Sequence, residues 1–148
     1  MDQEQIVSIE SQCKRLTAEY CHFVDHGEAA RVADLFTKDG VWASAEVSFD
    51  GRDAIRTAMT YRQKNTQRMS RHVCNNFLLT VIDADHAQGT VYLTLYRHDG
   101  QEDRAVSPLH GPVMVGEYKD QFLRTSEGWR FSRREVEVSF LKEGEGMS

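Results

Sequence analysis

Two residues far apart in the chain have the types needed to move a proton. Asp25 closes the run Tyr20-Cys21-His22-Phe23-Val24-Asp25, and His72 stands near the start of Arg71-His72-Val73-Cys74-Asn75-Asn76-Phe77. An imidazole is a base near neutral pH. A carboxylate that accepts a hydrogen bond from one ring nitrogen fixes the tautomer, frees the other nitrogen as base and stabilises the imidazolium once formed. Brought together, the two residues would do acid–base work without a cofactor. Tyr20 lies one turn before the end of the same helical run. Its hydroxyl either faces a pocket or belongs to an aromatic core residue.

Other groups are candidates for the same pocket. Period-two alternation places Cys74, Asn76 and Leu78 on the face of His72, so Asn76 is the polar side chain expected beside it, with Cys74 between them. Trp42 is a further pocket-lining candidate. Arg133 and Arg134 point to opposite faces of the last strand; one is expected to bind an oxyanion while the other stays solvated, and Arg133 is read as the pocket member. His110, in Pro108-Leu109-His110-Gly111-Pro112, reads either as a second acid or base or as an exposed loop histidine. His22 and His26 are four apart, a spacing that can hold a metal, but a third ligand at a definable spacing and a His-Glu-x-x-His phrase are both missing. No metal is therefore expected. With no glycine-rich phosphate loop, Gly-x-Ser-x-Gly elbow or Cys/His nucleophile phrase, neither a cofactor nor a covalent intermediate is expected.

The couple forms only if a helix end meets a strand. Ile6, Ile9, Cys13, Leu16, Tyr20 and Phe23 recur at steps of three and four, which predicts an amphipathic helix over the first 25 residues. Asp2 with Gln5 resembles a capping pair, and His26-Gly27 can end the helix. Ideal geometry puts Asp25 away from the centre of that stripe, as an exposed helix end unless the helix breaks near Val24. A second short helix is predicted over 28–36, a strand over 41–47 after the Asp39-Gly40 turn, and a third helix over 53–63.

Beyond residue 70 the chain is rich in β-branched and aromatic residues. Four strands are predicted, over 71–82, 89–97, 113–124 and 129–140, with hairpin-like turns between them. The polar connection 101–112 reads as a pocket rim or a subunit contact. Three helices followed by a mostly antiparallel sheet make an α+β domain whose helices cover one face. Twist and bulges would bend such a sheet into a cone with an interior cavity. On the second long strand Val91, Leu93 and Leu95 read as core, while the set Tyr92, Thr94, Tyr96 and His98 either lines the cavity or forms a dimer contact. Tyr92, Thr94, Tyr96, Tyr118 and Phe122 are expected on the uncovered face, which a second copy would close as a homodimer.

With 148 residues, 40% hydrophobic and 28% charged, the chain fits one globular domain over 1–148. Its 23 acids and 18 basic residues give a formal charge of −5 and are mixed along the chain, which argues against a nucleic-acid partner. Three cysteines without a Cys-x-x-Cys pair argue against a disulfide framework and make a reducing cytoplasmic setting the default. The polar start Met1-Asp2-Gln3-Glu4-Gln5 is unlike a signal peptide, and no apolar run approaches a membrane span.

The order of these elements and several local phrases resemble the SnoaL-like branch of the NTF2-like superfamily. The phrases are Tyr20 to Asp25, Leu35-Phe36-Thr37-Lys38-Asp39-Gly40-Val41-Trp42, Gly51-Arg52-Asp53-Ala54-Ile55, Arg71-His72-Val73-Cys74-Asn75-Asn76, and Gly116-Glu117-Tyr118-Lys119-Asp120 followed by Gly128-Trp129-Arg130-Phe131. Members of this group include polyketide cyclases, ketosteroid isomerase, scytalone dehydratase, bile-acid dehydratase and a dehydrochlorinase. The resemblance implies a cone-shaped α+β barrel of the cystatin-like kind, with three N-terminal helices packed in a curved, mostly antiparallel sheet. It implies a cofactor-independent lyase or isomerase, dehydratase-like, acting on a small and largely apolar hydroxy or keto compound. In that reading Asp25 orients His72, and Tyr20 assists the departing oxygen. The same superfamily holds non-catalytic small-ligand binders and the small subunits of ring-hydroxylating dioxygenases, so a binding or structural role stays open. Members commonly pair sheet against sheet.

Overall fold

A computed structural model describes residues 1–100 and 106–146. Helix α1 (Gln3–Asp25) starts at Asp2, whose carboxylate accepts the Gln5 backbone N–H at 2.8 Å while the Gln5 side chain accepts the Asp2 N–H at 2.9 Å. This is a capping box built on Asp rather than Ser or Thr. Past Gly27, whose φ of +80° suits glycine, a 3₁₀ helix (Ala29–Leu35) buries Ala29, Val32, Ala33 and Leu35. There follow β1 (Phe36–Ala43), β2 (Ser48–Asp50), α2 (Arg52–Gln63), β3 (Met69–Val81), β4 (His86–His98), β5 (Met114–Thr125) and β6 (Gly128–Leu141).

The six strands form one open sheet in the order β2-β1-β6-β5-β4-β3, antiparallel except where β1 runs parallel to β6. The three helices cover its concave face, as an α+β arrangement requires. β1 begins at Phe36 rather than at Val41. Gly40 is therefore no turn; it lies inside the strand, where an added Cβ would crowd the Thr37 carbonyl and the Phe36 side chain at 3.0 and 3.1 Å. There the pairing with β6 slips between Phe36 and Val41.

Further register shifts occur between Asn75 and Leu78, between Val115 and Gly116, and between Gln121 and Phe122. Each interrupts the regular pairing, and such a bulge kinks its strand and increases the local twist. At Gly116 a Cβ would run into the backbone carbonyl of Glu137, so only glycine lets the neighbouring strand bulge this close.

The concave face carries an apolar and aromatic core. Val91, Leu93 and Leu95 of β4 face inward, as expected, and Phe36, Phe122 and Phe131 stack tilted rings 5.2 Å apart beneath α1. Tyr118 and Phe122, expected on the uncovered face, are each only 3% exposed. Alternation in β5 runs Gly116, Tyr118, Asp120, Phe122 on the concave side, leaving Val115, Glu117, Lys119 and Gln121 outside. Of the connection 101–112, residues 101–105 lie outside the described residues.

At the centre of this core stands Arg134, fully buried. Asp120 accepts from its Nε and Nη2 at 2.8 and 3.0 Å, and the Thr17 hydroxyl accepts from Nη2 at 2.8 Å. The guanidinium also lies 3.8, 4.3 and 4.5 Å from the ring centres of Tyr118, Phe131 and Tyr20. Burial alone would weaken its hold on the proton, but the charge and hydrogen bonds of Asp120 reverse that and raise its pKa. Asp120→Asn would leave the cation buried without its counter-charge. We predict a loss of about 3–5 kcal/mol in urea unfolding, the scale of a broken buried pair; a loss below about 0.5 kcal/mol would contradict this account of the interior.

Candidate active site

The end of α1 and the start of β3 bring Asp25 and His72 into contact. His72 Nδ1 lies 2.7 Å from Asp25 Oδ1, the His72 backbone N–H donates to Oδ2 at 2.9 Å, and the Ser70 hydroxyl donates to Oδ1 at 2.8 Å. Behind them Arg62, in the last turn of α2, donates to the Ser70 oxygen at 3.3 Å. A ring nitrogen facing an ionised carboxylate carries the proton, so Nδ1 is the donor and Nε2 is left as a base. The carboxylate is 4% exposed and the imidazole 12%. Burial by itself would raise the Asp25 pKa. The hydrogen bonds and charge of His72 together with the Ser70 hydroxyl outweigh it and hold the carboxyl below its ordinary value.

The geometry explains why periodicity misplaces Asp25. α1 runs unbroken to Asp25, with Ile9, Cys13, Leu16, Thr17, Tyr20 and Val24 buried. Cys21 and Asp25, one turn apart, lie on the flank of that stripe, and β3 curls around to meet them. A concave sheet covers a wider arc of a helix than a flat one does, so a flanking residue becomes interior without a break in the helix.

Beside His72 lies an open groove of about 490 Å³ between α1 and β3, lined by Lys14, Ala18, Cys21, Cys74 and Phe77 among others. Asn76, expected in this wall, is exposed instead. Its backbone is left-handed, with φ of +58°, at the point where β3 slips against β4, and the bulge turns Phe77 inward in its place.

Tyr20 and Trp42 are held together elsewhere: the Trp42 indole N–H donates to the Tyr20 hydroxyl at 3.0 Å. Tyr20 is 3% exposed among Tyr118, Phe131 and Arg134, and burial raises its pKa. Neither residue lines the groove.

Arg133 is the solvated member of its pair, 40% exposed and 3.6 Å from Glu135, while Arg134 is the one that enters. The shift between Gln121 and Phe122 sets that parity. His110 is exposed on the segment before β5 and borders a separate hollow with Arg71, Tyr96 and His98. His22 and His26 stack 4.3 Å apart on the exposed side of α1, and no cluster of three potential metal ligands occurs among the described residues.

Ser70, Arg62, Thr17 and Asp120 were not among the expected site residues. Ser70 shares the parity of His72, and Asp120 shares that of Tyr118 and Phe122. A polar residue at a buried parity is the signal that finds both.

A family model described as a SnoaL-like domain matches residues 5–135. Solved structures similar to this chain include a Novosphingobium aromaticivorans protein assigned as a scytalone dehydratase, at 16% identity and a TM-score of 0.83, covering 99% of this chain and 95% of that one. An NTF2-like protein with a cystatin-like fold from the same organism is 24% identical with a TM-score of 0.76, covering 97% and 88%. LinA is 16% identical with a TM-score of 0.75, covering 100% and 99%. At these identities the likeness is one of fold. No curated protein matches. The family match spans most of the chain, and the chain belongs to the SnoaL-like domain family, with an NTF2-like, cystatin-like fold.

Proposed function

We propose that the protein is a cofactor-independent acid–base lyase or isomerase of the dehydratase kind, acting on a small and largely apolar hydroxy or keto compound bound in the groove beside His72. The observation that carries this reading is the 2.7 Å contact between His72 Nδ1 and a buried Asp25 carboxylate, with the ring on the groove wall. A role as a structural subunit gives no reason to bury a carboxylate there and surround it with three donors.

In the proposed reaction Nε2 of His72 removes the proton on the carbon next to a carbonyl. Asp25 stabilises the imidazolium that forms, without itself taking the proton. The imidazolium then returns the proton, either to a departing hydroxyl, which leaves as water, or to another carbon of the same framework. The first outcome is a dehydration and the second an isomerisation. Tyr20 is given no proton to move, because it stands away from the groove with its hydroxyl engaged by Trp42.

The outer face of the sheet supports a homodimer as part of the same proposal. Val73, Thr94, Val115 and Phe140 are paired in register across four strands, so they form one row on that face. Tyr92 stands beside them, 51% exposed. A second copy laid on this row would bury on the order of 1,600 Å², the scale of a stable interface.

Two measurements test this reading. Small cyclic β-hydroxy ketones offered as substrates should yield the conjugated enone, followed by its ultraviolet absorbance, and His72→Ala should lower that rate by about 10²–10⁴-fold, the usual contribution of a positioned base. A folded His72→Ala protein with an unchanged rate would end the assignment. Light scattering at micromolar concentration should give twice the 17.0 kDa chain mass; a single chain mass would refute the dimer.

A further inference from the structure

Cys21 and Cys74 lie on facing walls of the groove with their sulfur atoms 3.6 Å apart. One comes from α1, a turn before Asp25, and the other from β3, two residues beyond His72. Both are free thiols. The acid–base chemistry proposed above uses neither.

A buried cysteine is ordinarily a small inert hydrophobe, as Cys13 is here: 1% exposed, with burial pushing its thiol up to about 12. Cys21 and Cys74 differ in that both are partly exposed to the groove and each touches the other. The contact between the sulfurs pushes the two thiols apart in acidity. It lowers the pKa of Cys74, against the effect of burial and with help from Arg134, and raises the pKa of Cys21. Two thiols in contact, both reachable from one groove, are the arrangement that thiol–disulfide exchange requires.

The groove also has a cationic mouth. Arg15 is paired with Glu19 at 2.8 Å, while the Lys14 ammonium stands 5.8 Å from the centre of the Phe77 ring. A ligand with a short apolar body and a carboxylate fits that combination.

We propose that Cys74 and Cys21 form a dithiol site that reduces a small carboxylate-bearing disulfide, with Cys74 attacking and Cys21 resolving. In the first step the Cys74 sulfur, its proton released, bonds to one sulfur of the ligand, and the ligand's S–S bond breaks to expel a thiolate. In the second step Cys21 gives up its proton and bonds to the Cys74 sulfur, and the mixed disulfide breaks to release the other half of the ligand. One ligand disulfide becomes two thiols, which take up the two protons, and the dithiol becomes the Cys21–Cys74 disulfide. The sulfurs must close from contact to a bond of about 2.05 Å, which ties α1 to β3 beside His72.

The test uses the full reduced chain with dithiodipropionate as the anionic disulfide and bis(hydroxyethyl) disulfide as the neutral one. Thiol loss is followed by intact mass, and the linkage by peptide mapping. The proposal predicts loss of two thiols per chain within one molecule, a cross-linked Cys21–Cys74 peptide and an unreacted Cys13. It predicts that dithiodipropionate reacts at least about tenfold faster than the neutral disulfide, after correction for their rates with free cysteine, and that Lys14→Gln removes the preference. Cys21→Ser should stall as a mixed disulfide on Cys74, and Cys74→Ser should slow reaction at Cys21 by at least about tenfold. The mapping of the unaltered protein is decisive even if a variant fails to fold. Absence of the cross-link, a cross-link between chains, or Cys13 reacting alongside the pair would overturn the dithiol site. Equal corrected rates for the two disulfides would overturn the ligand class.

Discussion

The buried carboxylate of Asp25 is the constraint from which the rest of the site follows. An ionised group so little exposed is costly unless its oxygens are met by donors, and here three donors come from β3: the Ser70 hydroxyl, the His72 backbone and the His72 ring. The last turn of α1 therefore has to lie across the first residues of β3. The groove, the imidazole tautomer and the approach of Cys21 to Cys74 are consequences of that crossing. The sign of the linkage is set by the lowered Asp25 pKa. Its stabilisation is present in full above the ordinary carboxylate range and is lost as the pH falls through the depressed folded value.

The middle of α1 is held by a different kind of contact. Thr17 and Tyr20 meet the Arg134 guanidinium, which Asp120 neutralises inside a wall of aromatic rings. Replacing such an ion pair by apolar groups of the same volume often costs little, whereas removing one partner is costly. Its effect here is to set one position of the helix along the sheet. With α1 fixed by Arg134 at mid-length and by Asp25 at its end, the imidazole is presented by a strand and braced by a helix, both rigid elements. That suits a base that must be in place before the substrate arrives.

The long elements were legible because their periodicity is strong. α1 was readable from its stripe, as were its capping residues Asp2 and Gln5, and β3 to β6 were readable from β-branched runs and turns. The Asp25–His72 couple was visible as a pair of residue types, while its geometry depends on the curvature of the sheet, which no local pattern encodes. The misplacements share one physical cause. Asn76, Arg133, Tyr118 and Phe122 were assigned faces by parity. A single bulge in β3 reverses parity downstream of Asn75, the slip beside Gln121 decides between Arg133 and Arg134, and nothing within β5 states which of its two faces is concave. Gly40 misled in another way, since a glycine that permits close approach inside a strand looks like a turn glycine.

The central claim is that Asp25 holds His72 with the proton on Nδ1 and with Nε2 bare toward the groove. Nitrogen-15 NMR of ring-labelled protein tests it most directly, at a pH where the imidazole is neutral. The account predicts a protonated Nδ1 with a strongly downfield N–H proton resonance, an unprotonated Nε2, and loss of that downfield resonance in Asp25→Asn. A neutral His72 carrying its proton on Nε2, or one exchanging equally between both nitrogens, would contradict it.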